Sequence, residues 1–448
     1  MEFDLSLGML RLFSTIILFT GLVFADGFDF TLIKKGQNDN NNTMLVVGGI
    51  QGDEPGGFMA ASLLSTHYEI TKGSVWIVPN FNFYSIIKRD RGPYGDMNRK
   101  FAKLSVSDHD YQYIERMKKI IKSKNIKMVI NLHDGSGFYR KKYIDKNHRP
   151  GKWGQASIID QAKVEGIKYG NLLEIANKVD AHINKNLLKK EHIFHTKNTK
   201  THLKKTQEEK EMSKTLTYYA IGEGKSAFGN ESSKALPVHE RVYYKLLALE
   251  TFMDVMGIEY KRKFDLNARD LKDVIDNDIF ISFNDKKIFI PLSRIRSHIT
   301  YFPVEKGAKI SFKPSSPVMT VLEEKGRYVV YYGNRKLTTL IPQYLDYDKF
   351  NGELKVNIDG KIRTVALGDL VEVKKYFNVQ VDHRLRVNVI GYVNKKHKNE
   401  SGLNVRKKYI LKRFSIDKDG KRYRVEVYDS KVKNKFLGMF LVEYDTKH

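Results

Sequence analysis

The 448-residue chain contains no cysteine. Disulfides and thiolate metal ligands are therefore excluded, and any metal must be held by histidine, carboxylate or amide oxygen. Acidic residues are scarce beside basic ones, 52 against 78, for a formal net charge of +26. That balance favours acidic partners such as nucleic acid, anionic lipid or an anionic cell-wall polymer. It comes without a basic arm, a zinc-finger spacing or an aromatic RNA-binding signature. The basic residues are dispersed, as in IKSKNIK (121–127) and LKRFSIDKDGKRYR (411–424), which argues against nucleic acid. No fixed-period repeat is evident.

Hydrophobic residues at 41% and charged residues at 29% are near globular averages, and the length accommodates two to four domains. The stretch MLRLFSTIILFTGLVFA (9–25) places Arg11 before an apolar run, then Val23 and Ala25 at small positions ahead of Asp26. This reads as a signal peptide over 1–25, with translation starting at Met1 or Met9. A membrane-anchoring helix is the alternative, although the apolar stretch is near the short limit for a span. Either way the rest of the chain is expected outside the cytoplasm.

Residues 26–258 alternate apolar strand patterns (TMLVVGGI, GSVWIVPN, IKMVINLH, SAFGNESS) with amphipathic helices, as in an α/β domain with a mixed sheet. From about residue 262 the pattern becomes short alternating segments separated by turn pairs such as Asn284-Asp285 and Asp359-Gly360. Two small all-β domains are expected there, a sheet domain over 262–345 and a sandwich-like one over 346–448. The charge-rich stretch KNTKTHLKKTQEEKEMSK (197–214) reads as an exposed insertion.

In open α/β sheets, sites form at the carboxyl ends of strands. GGIQGDEPGG (48–57) sets Gln51 and Glu54 just beyond one such end, His133 ends a second and Glu231 a third. Two ligands from one strand–helix turn and a third from a distant strand leave a coordination position for water. A plainer reading makes Glu54 a helix N-terminal carboxylate and His133 a hydrogen-bonded histidine. Arg91, with Arg89 as an alternative, precedes Asn98-Arg99, and a guanidinium suits a terminal carboxylate. Glu231 lies among small residues, where desolvation raises a carboxyl pKa toward that of a general base. Trp153, in a Gly-flanked loop, is a candidate for the pocket wall or for a core anchor.

In order and spacing, Gln51-x-x-Glu54, Arg91, Asn98-Arg99, His133 and Glu231 resemble the zinc metallocarboxypeptidases related to carboxypeptidase A. Within that family the chain is similar to the secreted peptidoglycan DL-carboxypeptidases that set helical cell shape in Gram-negative bacteria, which carry two C-terminal β domains and use Gln for the first His. The resemblance implies a carboxypeptidase-like catalytic domain in the periplasm. Gln51, Glu54 and His133 would bind Zn2+, Glu231 would act as general base, and Arg91 would stabilise the oxyanion. Asn98 and Arg99 would bind the substrate's terminal carboxylate, with Trp153 lining the pocket. The implied partner is a peptidoglycan stem tripeptide, cut before its terminal meso-diaminopimelate. The family's substrate-closing tyrosine has no clear counterpart; Tyr218 and Tyr219 are nearby, and core packing suits either. Two rivals are a hydrolase of the aspartoacylase and succinylglutamate desuccinylase type and a non-catalytic muropeptide-binding protein.

Overall fold

The computed structural model describes residues 28–37, 41–350, 352–393, 398–432 and 435–445. The expected signal peptide at 1–25 lies outside them. Among the described residues no helix is long and apolar enough to cross a membrane.

The N-terminal part is built on a seven-stranded mixed sheet in the order Ile33–Gly36, Ser74–Val78, Thr43–Val47, Ile126–Gly135, Ser226–Ser233, Ala156–Ile159 and His195–Asn198. The second to fifth strands in that order are mutually parallel, while Ile33–Gly36 and Ala156–Ile159 run antiparallel to their neighbours in this group. Side chains alternate between faces because a strand has period two. Met44, Val46, Met128 and Ile130 enter a core with helices Pro55–His67, Leu172–Lys185 and Val238–Met256. Leu45, Val47, Val129 and Ala227 face helix Tyr111–Ile121 and the short helix Leu216–Gly222. Coverage of both faces explains why the central strands read as continuous apolar runs. The parallel strands also deliver Gln51, His133 and Glu231 to one edge.

Helix Val238–Met256 is buried on nearly every side and carries Lys245, which is fully buried. An isolated buried ammonium is costly. Lys245 Nζ instead donates to the carbonyls of His133 and Asn230 and stands 3.3 Å from Asp134 Oδ1. One side chain thereby ties together the ends of the two strands that carry His133 and Glu231.

The hairpins expected from the C-terminal sequence form, with Phe280–Phe283 pairing Ile288–Pro291 and Leu354–Ile358 pairing Lys361–Val365. Asn284, Asp285, Asp359 and Gly360 have the positive φ that such tight turns require. One difference is that the first element after residue 262 is a helix, Ala268–Asn277. The Asn267 side chain caps it by accepting from Asp270 N at 2.9 Å, and Leu271 and Ile275 bury one face at i, i+4 spacing. The core of the N-terminal part runs on into this region through Phe283, Phe302 and Leu340. A separate core lies between the sheets built from 354–379 and 370–444. The chain thus has a mixed-sheet N-terminal part followed by small β-sheet units.

Candidate active site

Strand Thr43–Val47 leaves the sheet through Gly48 and Gly49, the latter at φ +73°. Gly52 presses against the Ser85 carbonyl so closely that a Cβ would lie 2.1 Å from it. Pro55 then opens the helix with Glu54 at the N-cap, but the Glu54 side chain makes no capping hydrogen bond. Its carboxylate turns inward, where Oε2 accepts from Asp134 N at 3.0 Å. The tight turn brings Gln51 and Glu54 onto one side.

His133 Nδ1 lies 3.0 Å from Gln51 Oε1 and 3.0 Å from Glu54 Oε2. Ligands of a tetrahedral zinc with bonds near 2.1 Å are separated by about 3.4 Å. Gln51 Oε1 and Glu54 Oε2 therefore each stand from His133 Nδ1 at nearly the spacing a metal demands. Among the described residues no cluster of three histidine or carboxylate side chains could hold a metal. A metal here depends on the amide oxygen of Gln51. Burial opposes a charged imidazole at His133, but the hydrogen bond and charge of Glu54, with Glu231 beyond, outweigh it and raise its pKa. A metal cation at Nδ1 would take the place of that proton.

Asp96 fixes the direction of the Gln51 amide, a role absent from the sequence reading. Gln51 Nε2 donates to Asp96 Oδ1 at 2.8 Å, which turns Oε1 toward His133. The same carboxylate caps the turn Met97–Arg99 through Asn98 N and pairs with Arg91 Nη2 at 3.1 Å. Burial disfavours ionisation of Asp96, yet Arg91 and the Gln51 amide prevail and hold its pKa low. An ionised second-layer acceptor of this kind orients a ligand and strengthens its donor atom.

Glu231 is the register partner of His133 on the adjacent parallel strand, so the two share a face. Its Oε2 is enclosed and has no hydrogen-bond partner among the described residues. Burial raises its pKa to about 7; Glu54 and Asp134 add to the rise, while His133 and Lys245 oppose it. Such a carboxyl can exchange a proton near neutral pH.

Arg91 Nη1 reaches Glu54 Oε1 at 3.1 Å, so it borders the donor trio. Arg89 is drawn away, donating to the Asn334 carbonyl. Asn98 Nδ2 lies 3.3 Å from His133 Nε2, and its Oδ1 accepts from Leu216 N. Arg99 and Trp153 line a cleft of about 280 Å³ with Lys197, Glu208, Glu211 and Met212. Lys197 Nζ stands 3.5 Å from the Trp153 ring centre. Trp153 is thus a cleft residue rather than a core anchor. The segment read as an exposed insertion supplies Lys197, Glu208, Glu211 and Met212, and so forms one wall. Its dense charge masked the side that faces inward. The donor trio does not line this cleft; Asn98 touches His133 and adjoins Arg99, linking the two. Tyr219 packs against Phe101 in the core, with ring centres 6.0 Å apart.

Residues 12–276 match the family described as the catalytic part of carboxypeptidases controlling helical cell shape, and residues 347–445 match the C-terminal domain of metallo-carboxypeptidases. No curated protein matches the chain. Among solved structures, the apo cell shape determinant protein Csd4 from Helicobacter pylori is 39% identical, with 93% of this chain and 100% of that one covered and a TM-score of 0.81. Tripeptide-bound Csd4 from the same organism gives the same values. The mDAP-bound form, described as a D,L-carboxypeptidase, is also 39% identical with a TM-score of 0.81, covering 92% of this chain and 100% of that one. The chain belongs to the family of metallocarboxypeptidases that control helical cell shape.

Proposed function

We propose that this protein is a secreted, zinc-dependent D,L-carboxypeptidase that removes the terminal meso-diaminopimelate from peptidoglycan stem tripeptides, leaves dipeptides, and thereby influences cell shape. The observation that carries this reading is the convergence of Gln51 Oε1, Glu54 Oε2 and His133 Nδ1 beside the enclosed, unpartnered Glu231 oxygen. Tripeptide- and mDAP-bound Csd4 supports the choice of substrate. The leader sequence supports a periplasmic location. We assign 26–258 to catalysis, with 262–345 and 346–448 as the β domains.

Gln51, Glu54 and His133 would hold the zinc, which when bound would supply Lewis acidity for a water nucleophile and the scissile carbonyl. Glu231, poised near neutral pH, takes a proton from that water and later gives it to the leaving amine. Arg91, steadied by Asp96, presents a guanidinium to the developing oxyanion. Asn98 and Arg99 receive the free carboxylate at the substrate's C-terminus, and this restricts cleavage to the last residue. Trp153 and Lys197 line the cleft that takes the terminal residue. The basic surface gathers stem peptides, which are rich in carboxylates.

Chromatography of a purified stem tripeptide after digestion tests the reading. The expected result is conversion to dipeptide, abolished by a chelator and restored by zinc. Hydrolysis of N-acyl amino acids with the tripeptide left intact would favour the aspartoacylase-type alternative. Tight muropeptide binding without zinc or turnover would favour a binding protein.

A further inference from the structure

Residues 401–416 contain five basic residues, Arg406, Lys407, Lys408, Lys412 and Arg413, and no acidic one. None of the five forms an ion pair among the described residues. This stretch includes a short antiparallel ladder in the C-terminal β half. Tyr392 bridges Ile410, Val393 N donates to Tyr409 O at 2.9 Å, and Leu411 N donates to Gly391 O at 2.9 Å. Ile410 points inward at 6% exposure, whereas Val393, Tyr409 and Leu411 are 52%, 46% and 40% exposed. The ladder therefore sets an aromatic and two aliphatic side chains outward, bordered by cations with no protein counter-charge.

Most exposed lysines and arginines of a folded domain are interspersed with acidic residues. A local excess of positive charge around an exposed apolar row marks an interaction surface for an anionic, partly apolar partner. Peptidoglycan has that chemistry: stem-peptide carboxylates suit the cations, and the C–H faces of pyranose rings suit a tyrosine flanked by aliphatic groups. We propose that the ladder at 391–393 and 409–411, with Arg406, Lys408 and Arg413, docks the C-terminal domain on the peptidoglycan polymer, apart from the cleft at Arg99 and Trp153. The partner's identity rests on the proposed substrate reading. Docking raises the effective concentration of stem peptides around the catalytic part without altering its chemistry.

Co-sedimentation of the full chain with purified peptidoglycan sacculi, and separately with phosphatidylglycerol vesicles, tests the proposal. The wild type is expected to pellet with sacculi in a salt-sensitive manner. The variant Lys408→Glu/Arg413→Glu should bind about tenfold more weakly at low salt. Tyr409→Ala should also reduce binding, and Lys408→Gln/Arg413→Gln provides a milder version should charge reversal perturb folding. Turnover of soluble tripeptide should stay unchanged in all of them. Equal pelleting by every folded variant, or pelleting with vesicles in preference to sacculi, overturns the proposal. Loss of tripeptide turnover in the wild type would instead count against the catalytic reading, so the two failures are distinguishable.

Discussion

The carboxyl edge of the catalytic sheet and the C-terminal sandwich both bury charge, but they treat it differently. In the sandwich, Arg424 and Glu426 stand 3.4 Å apart, Arg424 donates to the carbonyls of Thr300 and Tyr301, and Tyr428 donates to Glu426. This ion pair and its hydrogen bonds tie the sandwich to strand His298–Glu305. At the catalytic edge, Lys245, Asp134 and Arg241 form a comparable ion-paired layer. Above it, however, three donor atoms of Gln51, Glu54 and His133 crowd one point, and Glu231 keeps an enclosed oxygen without a partner. Buried charge that meets an opposite charge holds a fold together, whereas the Glu231 oxygen, with neither a hydrogen bond nor an ion pair among the described residues, is available to a ligand.

Exchanging the two carboxylates' fates breaks the comparison most sharply. Glu231→Gln should lower kcat by about 10²–10⁴-fold with little change in thermal stability, measured by tripeptide turnover and calorimetry. Glu426→Ala should do the reverse: stranding Arg424 in the interior costs about 3–5 kcal/mol of stability, read from denaturant unfolding, while the folded fraction keeps normal turnover. Asp96→Ala frees the Gln51 amide to rotate and should weaken metal affinity by about 10–100-fold, read by competition with a chromophoric chelator. The smallest effect concerns pH. The raised Glu231 pKa means that the protonated, inactive form accumulates as pH falls, so kcat/KM should drop on the acid side. The midpoint belongs near 7 for Glu231 in the metal-free site and lower once a dication lies beside it. A profile flat from pH 8 to 5 would remove Glu231 from the base role.

Much of this division was legible in the sequence. Gln51, Glu54, His133 and Glu231 follow apolar runs at Gly-rich or small-residue ends, and a parallel sheet brings such ends to one edge. The hairpins announced themselves through Asn284-Asp285 and Asp359-Gly360. Asp96 was not legible, because one carboxylate in the loop KRDRGPYGDMNRKF carries no periodicity and its partner Gln51 comes from a separate turn. Lys245 looks like a surface lysine on an amphipathic helix, and only the packing of two strand ends against that helix reveals its burial. The cleft wall from Lys197 to Met212 was hidden because local charge describes solvation of one side of a segment and says nothing of what the other side faces. Helix Ala268–Asn277 was overlooked amid alternating segments, although Asn267 with Asp270 is a capping pair.

The account depends on a metal held by an amide oxygen. Metal analysis of the purified protein beside its Gln51→Ala and Gln51→His variants, with tripeptide turnover from the same preparations, tests this most directly. The account predicts about one zinc per chain and turnover for the wild type, neither for Gln51→Ala, and retained metal for Gln51→His. A Gln51→Ala protein that keeps its zinc and hydrolyses the tripeptide fully would contradict it.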